Sequence, residues 1–159
     1  MQERGFSLIE LLIVIAIILI IAAIAVPSLL KSRMSANESS AVYSIRTINT
    51  AQVTYAATYP TIGYAGTLNA LASSSSTTTV DSSNAGILDW VLGCTSVVCP
   101  KSGYNFQLAN ISGTPVSAYS VWGTPITVGT TGNRGFCSDN MLPILFDPLG
   151  GNNCTQPLQ

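Results

Sequence analysis

Histidine is absent from the 159 residues, and charge is scarce at 8% of the chain. Without histidine the chain loses the commonest general base, the usual partner of a serine or cysteine nucleophile, and the commonest metal ligand. An enzyme built from it would depend on carboxylates or lysine. Only Lys31 and Lys101 are available, with Glu10, Glu38, Asp81, Asp89, Asp139 and Asp147 beyond the first five residues. No paired-carboxylate motif appears among them, so the expectation is a protein that is not an enzyme. A net charge of −1 provides no basic surface to hold a polyanion, so no nucleic-acid partner is expected. Weak self-repulsion is compatible with close packing against copies of the same chain.

What the sequence has instead is one long apolar run. After the polar Met1–Gly5 come Phe6-Ser7-Leu8-Ile9-Glu10 and then sixteen uncharged residues, Leu11 to Val26. As a helix, Phe6 to Val26 spans roughly 31 Å, enough to cross a bilayer core. A cleaved secretory signal is one reading, since Ala23-Ile24-Ala25 has the small-x-small form of a cleavage site. Against it, the apolar region exceeds the usual 7–15 residues by a good margin, and Glu3 offsets Arg4. An ordinary single-span anchor fits the length but leaves Glu10 unexplained. A carboxylate in an apolar span costs about 2–3 kcal/mol at the centre and less near an end, and its default meaning is a function with a partner.

Gly5-Phe6-Ser7-Leu8-Ile9-Glu10-Leu11-Leu12, with the apolar run ending in Pro27, resembles the prepilin motif of the type IV pilin and pseudopilin family. The resemblance implies a leader, residues 1–5, cleaved between Gly5 and Phe6 by a prepilin peptidase, and N-methylation of the new Phe6 amine. It implies that Glu10 pairs with the Phe6 amine of a neighbouring subunit. A buried carboxylate beside a buried ammonium is tolerable where either alone is not, so the pair would select one axial register. It further implies a helical homopolymer as product, an assembly platform and ATPase as partners, and no cofactor. The protein would sit in the inner membrane before assembly and in an extracellular filament afterwards. Lys31 and Arg33 beyond the span suggest the opposite orientation by the positive-inside rule. Two charges are a thin basis for orientation, and the motif places the leader inside and the head outside.

The expected fold class is α+β: a long N-terminal helix, kinked at Pro27, on a small antiparallel sheet with a disulfide-stapled C-terminal loop. Residues 6–27 would be the transmembrane and filament-core helix, 28–59 its amphipathic continuation, and 60–159 an extracellular β-rich head. Residues 28–58 contain no Gly or Pro. Ala41, Ile45, Ile48, Gln52, Tyr55 and Tyr59 recur at three- and four-residue steps, with Lys31, Arg33, Glu38 and Arg46 expected on more polar surface. Tyr59-Pro60 ends the helix. A short turn is expected at Thr67–Leu71 and a short helix at Asp89–Leu92, packing Trp90 on the long helix. Period-two alternation predicts strands at Tyr104–Leu108, Ser117–Trp122 and Arg134–Cys137, with turns at Asn110–Thr114 and Gly129–Asn133.

The Ser/Thr run of residues 73–79 reads as a solvated loop, with O-glycosylation as its functional alternative. Gly129, Gly132 and Gly135 lack the Lys-Ser/Thr of a phosphate loop. Asp139 and Asp147 are the candidates for a calcium site, although most of the ligands would have to be backbone carbonyls. Cys94, Cys99, Cys137 and Cys154 lack zinc-site spacing, and all lie in the expected extracytoplasmic part, which favours disulfides. Of three connectivities, Cys94–Cys99 with Cys137–Cys154 is expected because each closes a local loop, and a pilin-like C-terminal disulfide loop suggests the second pair too. Two functional alternatives stand beside the pilus subunit. One is a type II secretion pseudopilin, and the other is a minor tip pilin acting as a binding module.

Overall fold

The computed structural model describes residues 6–73 and 79–158. The leader residues 1–5 and most of the Ser/Thr run (74–78) therefore lie outside the described residues. The chain divides into two compact units, Met1–Arg33 and Met34–Gln159.

The first unit is the N-terminal part of helix α1, which spans Leu8–Thr58. Helical structure runs through Pro27, so the proline does not end the element. The side chains along the apolar run stay exposed within the chain, and none of its most apolar eighteen-residue stretch is buried. Leu, Ile, Val and Ala occupy every face here, so this segment has no polar side to turn outward.

The second unit packs the C-terminal part of α1 on a six-stranded antiparallel meander. Its strands are β1 Cys99–Lys101, β2 Tyr104–Ser112, β3 Ala118–Pro125, β4 Gly135–Asp139, β5 Leu145–Asp147 and β6 Gln156–Pro157, each pairing with the next. The short helix α2, Leu68–Leu71, begins at Thr67, whose Oγ1 accepts the Ala70 N–H. β1 and β2 are joined by Ser102 and Gly103, both at positive φ, and Lys101 pairs with Tyr104. A two-residue loop of this kind matches the twist of its strands.

Burial explains the choice of elements. β3 alternates strictly, with Tyr119, Val121, Gly123 and Pro125 inward. Ala41, Ile45, Ile48, Ala51 and Tyr55 of α1 meet Tyr104, Phe106, Tyr119, Val121 and Phe136 of the sheet in one core. Gly123 lets helix and sheet approach: a Cβ there would stand 3.0 Å from Phe106 Cε1 and 3.3 Å from Ile45 Cδ1.

Three expectations need correction. The segment Asp89–Leu92 forms turns, not a helix. Leu92 is its buried residue, and Trp90 points away, 71% exposed. The Asp89 carboxylate accepts the Val91 and Leu92 N–H groups and closes the turn locally. β3 runs on to Pro125 at its last position, where the missing N–H ends the ladder without breaking it earlier. The sheet also has more strands than the three expected, because β1, β5 and β6 are two or three residues long and too short to show a period.

Ile48 is fully buried between helix and sheet. Truncation by Ile48→Ala should destabilise this unit by about 2–5 kcal/mol through lost burial and a residual cavity. Thermal denaturation followed by circular dichroism measures it, and an unchanged midpoint would contradict the packing described.

Candidate assembly helix and the polar anchors of the folded unit

Phe6 precedes the first helical residue and is 74% exposed, and Glu10 lies in the first turn of α1. Beyond Glu10, Leu11 to Leu30 contains no charged residue. The helix thus presents one acid near its start, beneath a shaft that is aliphatic from Leu11 to Val26. Chemically this arrangement suits a low-dielectric environment with one cationic partner for Glu10. Gly5, the residue expected before the cut, lies outside the described residues.

In the second unit the functional question is what fixes α1 on the sheet, and polar groups set the register. Residue type alone assigns Glu38 to polar surface; instead it is buried to 8% exposure against the β3–β4 loop. Its Oε1 accepts the N–H groups of Asn133 at 2.9 Å and Arg134 at 3.2 Å. Its Oε2 accepts Nε of Arg134 at 2.9 Å and Nη2 at 2.7 Å. The guanidinium in turn lies over the rings of Phe136 and Phe146, at 5.5 and 5.4 Å from their centroids. The sequence carries the signal: Glu38 precedes Ala41 by three residues and Ile45 by seven, which places it on the buried stripe.

Three further contacts continue this line up the helix. Asn37 Nδ2 donates to Thr131 O at 2.8 Å. Asn49 donates from Nδ2 to Ser138 Oγ at 2.7 Å and accepts the Tyr119 hydroxyl at 3.0 Å, all three residues being buried. Gln52 acts like a strand residue: Nε2 donates to Ala65 O at 3.0 Å, and Oε1 accepts the Ala65 N–H at 2.8 Å. Each satisfies polar groups that burial would otherwise penalise, so a helix rotated or slid by one turn would leave several unpaired.

Two disulfides close the edges of this unit, Cys94–Cys99 and Cys137–Cys154, with Cα separations of 5.6 and 5.9 Å. The second ties β4 to the segment before β6. Asp147 holds the same loop, with Oδ1 accepting the Leu149 N–H and Oδ2 the Asn153 N–H. Asp139 sits at the other end of β4 and accepts the Met141 N–H. The structure therefore does not bring these two carboxylates together, and each serves its own turn.

A long apolar helix preceded by Phe6 and carrying an early acid, followed by a disulfide-closed antiparallel sheet, is the type IV pilin-like α+β arrangement. The profile of the prokaryotic N-terminal methylation motif matches residues 1–26. The likeness to type IV pilins lies in this N-terminal segment. It is 44% identical over 54 residues to the type IV major pilin protein PilA of Myxococcus xanthus, covering 34% of this chain and 24% of that protein. It is 61% identical over 38 residues to the type IV wide pilus major component PilA4 of Thermus thermophilus, covering 24% of this chain and 29% of that one. The match thus spans under a third of either pilin. No solved structure matches the chain.

Burial alone would raise the Glu38 pKa, but the Asn133 N–H and the side chain and N–H of Arg134 outweigh it and hold the carboxyl below its ordinary 4.5. A depressed folded value contributes stability above the unfolded value, and that contribution is lost as pH falls through the folded one. Glu38→Gln should therefore lower stability at neutral pH by about 2 kcal/mol. It should also flatten the loss of stability below pH 4.5. Urea titrations at pH 7 and in that acid range test both. An acid limb as steep as that of the parent would remove Glu38 as its source.

The disulfides differ in the chain they close, 17 residues apart for Cys137–Cys154 and 5 for Cys94–Cys99. In the loop-entropy account, removing the longer link costs about 3 kcal/mol and the shorter about 2. Paired Cys→Ser variants compared by denaturant midpoint should rank in that order.

Proposed function

We propose that this protein is a structural subunit that polymerises through its N-terminal helix into a type IV pilus filament. The observation that carries the reading is a helix aliphatic on every face, unburied by its own chain, with a lone carboxylate four residues after Phe6. Water is a poor solvent for such a shaft, so it requires lipid before assembly and other copies after it. Residues 6–27 are the membrane-spanning segment and later the filament core, and Pro27 marks the point where the helix can bend. A prepilin peptidase cleaves between Gly5 and Phe6, and the new amine is N-methylated. An assembly platform with its ATPase extracts the subunit from the inner membrane. The named relatives are both major pilus components, which supports a pilus in preference to a secretion pseudopilus or a tip-located minor pilin.

Glu10 is the partner-seeking group in this scheme. In a bundle of identical helices, the Phe6 amine of the next copy would neutralise it, and a shifted register would bury both charges unpaired. Repetition of such a head-to-tail contact yields an open helical polymer.

Intact-mass analysis of the protein from its host tests processing: the expected chain begins at methylated Phe6. A chain beginning at Met1 or Val26 would replace this reading with an ordinary anchor or a secreted protein. Glu10→Val should leave the subunit in the membrane fraction while abolishing sheared filaments. A normal filament yield from that variant would sink the pairing.

A further inference from the structure

The β3–β4 loop (126–134) and the β5–β6 loop (148–155) lie together at one end of the second unit. Asn37 contacts Thr131, and Glu38 contacts Asn133 and Arg134. A Cβ at Gly150 would meet Val128 Cγ2 at 2.7 Å and Asn133 O at 3.1 Å, so the two loops touch. Asn37 and Glu38 are three and four residues beyond Met34, where the chain comes in from the apolar run. These loops therefore mark the end of the unit at which that run arrives.

Their surface is unusual for loops. Ile126, Val128 and Leu149 are 51%, 55% and 83% exposed, and they come from two separate segments. Their neighbours are Thr, Gly, Asn and Pro, and neither loop contains an acid. The two nearby carboxylates, Glu38 and Asp147, are buried and taken up by backbone N–H groups and Arg134. The incoming residues Lys31 and Arg33 add positive charge in sequence. Aliphatic tips flanked by hydrogen-bonding residues, with cations and no free anion, have the chemistry of a lipid headgroup boundary.

We propose that these loops form a lipid-contact surface, through which the folded unit rests on the outer face of the bilayer while the subunit waits for assembly. This rests on the membrane-anchored reading above and adds an orienting contact to it. Continuity along the chain singles out lipid as the occupant: only residues 31–33 separate Leu30 from this unit, and the loops contact Asn37 and Glu38 near its start. The opposite end of β4 provides an internal control, since Met141 is also exposed but follows Asp139, at the end of the strand away from Arg134.

The test uses the full chain in phosphatidylcholine vesicles, with a photoreactive benzophenone residue introduced singly. The sites are Leu149→p-benzoylphenylalanine, Met141→p-benzoylphenylalanine and Ile17→p-benzoylphenylalanine. All three side chains are exposed, so none of the changes disturbs the core. After illumination, mass spectrometry should show a phospholipid-sized shift for the probes at 149 and 17, and none at 141. A lipid adduct at 17 without one at 149 overturns the contact. So does crosslinking from 149 to a second copy of the chain, or equal lipid adducts at 141 and 149. Absence of lipid adduct at 17 would instead remove the membrane reading itself, and this proposal with it.

Discussion

The constraint on which the rest depends is the placement of aliphatic side chains on every face of a helix that its own chain does not cover. Each buried Leu, Ile or Val is worth about 1.5–3 kcal/mol relative to water. Sixteen of them between Leu8 and Leu30 make an aqueous monomer with this helix bare untenable. The segment must dissolve in lipid or in a bundle of similar helices, and the backbone tolerates either because a helix satisfies its own hydrogen bonds. Glu10 then acquires meaning from its surroundings. In water it would be a surface acid, whereas in an apolar bundle it needs a cation, which the proposed pairing with the Phe6 amine of a neighbouring copy would supply only in a defined stagger.

The second unit solves a different problem. Here α1 has one buried stripe, and apolar packing against the sheet would tolerate several registers at modest cost. Glu38, Asn49 and Gln52 remove that latitude, because each is committed to named groups on three separate segments: the β3–β4 loop, the faces of β3 and β4, and Ala65. The Arg134 guanidinium extends the first of these to Phe136 and Phe146, so a single carboxylate on the helix organises both a loop and the outer strands. The sheet, a plain meander of neighbours, needs no long crossovers, and its two disulfides sit where strands are shortest and least able to hold themselves.

How much of this could be read from the sequence follows from which signals are local. The apolar run, the acid within it and the stop at Tyr59-Pro60 are all written in contiguous residues, as is the alternation of β3. Tyr104–Leu108 announces β2, but its extension to Ser112 passes Asn110 at positive φ, where the pairing register shifts and period-two reading fails. β1, β5 and β6 owe their existence to pairing partners and to Cys99 and Cys154 beside them, which no window of two or three residues reveals. Glu38 is misplaced when residue type is weighed above position. Its spacing from Ala41 and Ile45 places it inward, and the Asn133 N–H with an arginine 96 positions away makes that placement tolerable. The reverse holds for Trp90: its turn is closed locally by Asp89, leaving the indole no route to the helix.

The two parts of α1 therefore obey different selection rules within one continuous element. Where the surroundings are lipid or other copies, any face can be the contact face, so the sequence is aliphatic all round and only the charge position carries information. Where the surroundings are the chain's own sheet, one face is fixed, and specificity comes from buried polar atoms with unique partners. The methylation-motif profile ends at residue 26, one residue before Pro27, where the first rule gives way. Beyond it, in the second unit, the helix answers to the chain's own sheet, and Glu38, Asn49 and Gln52 fix which of its faces is buried.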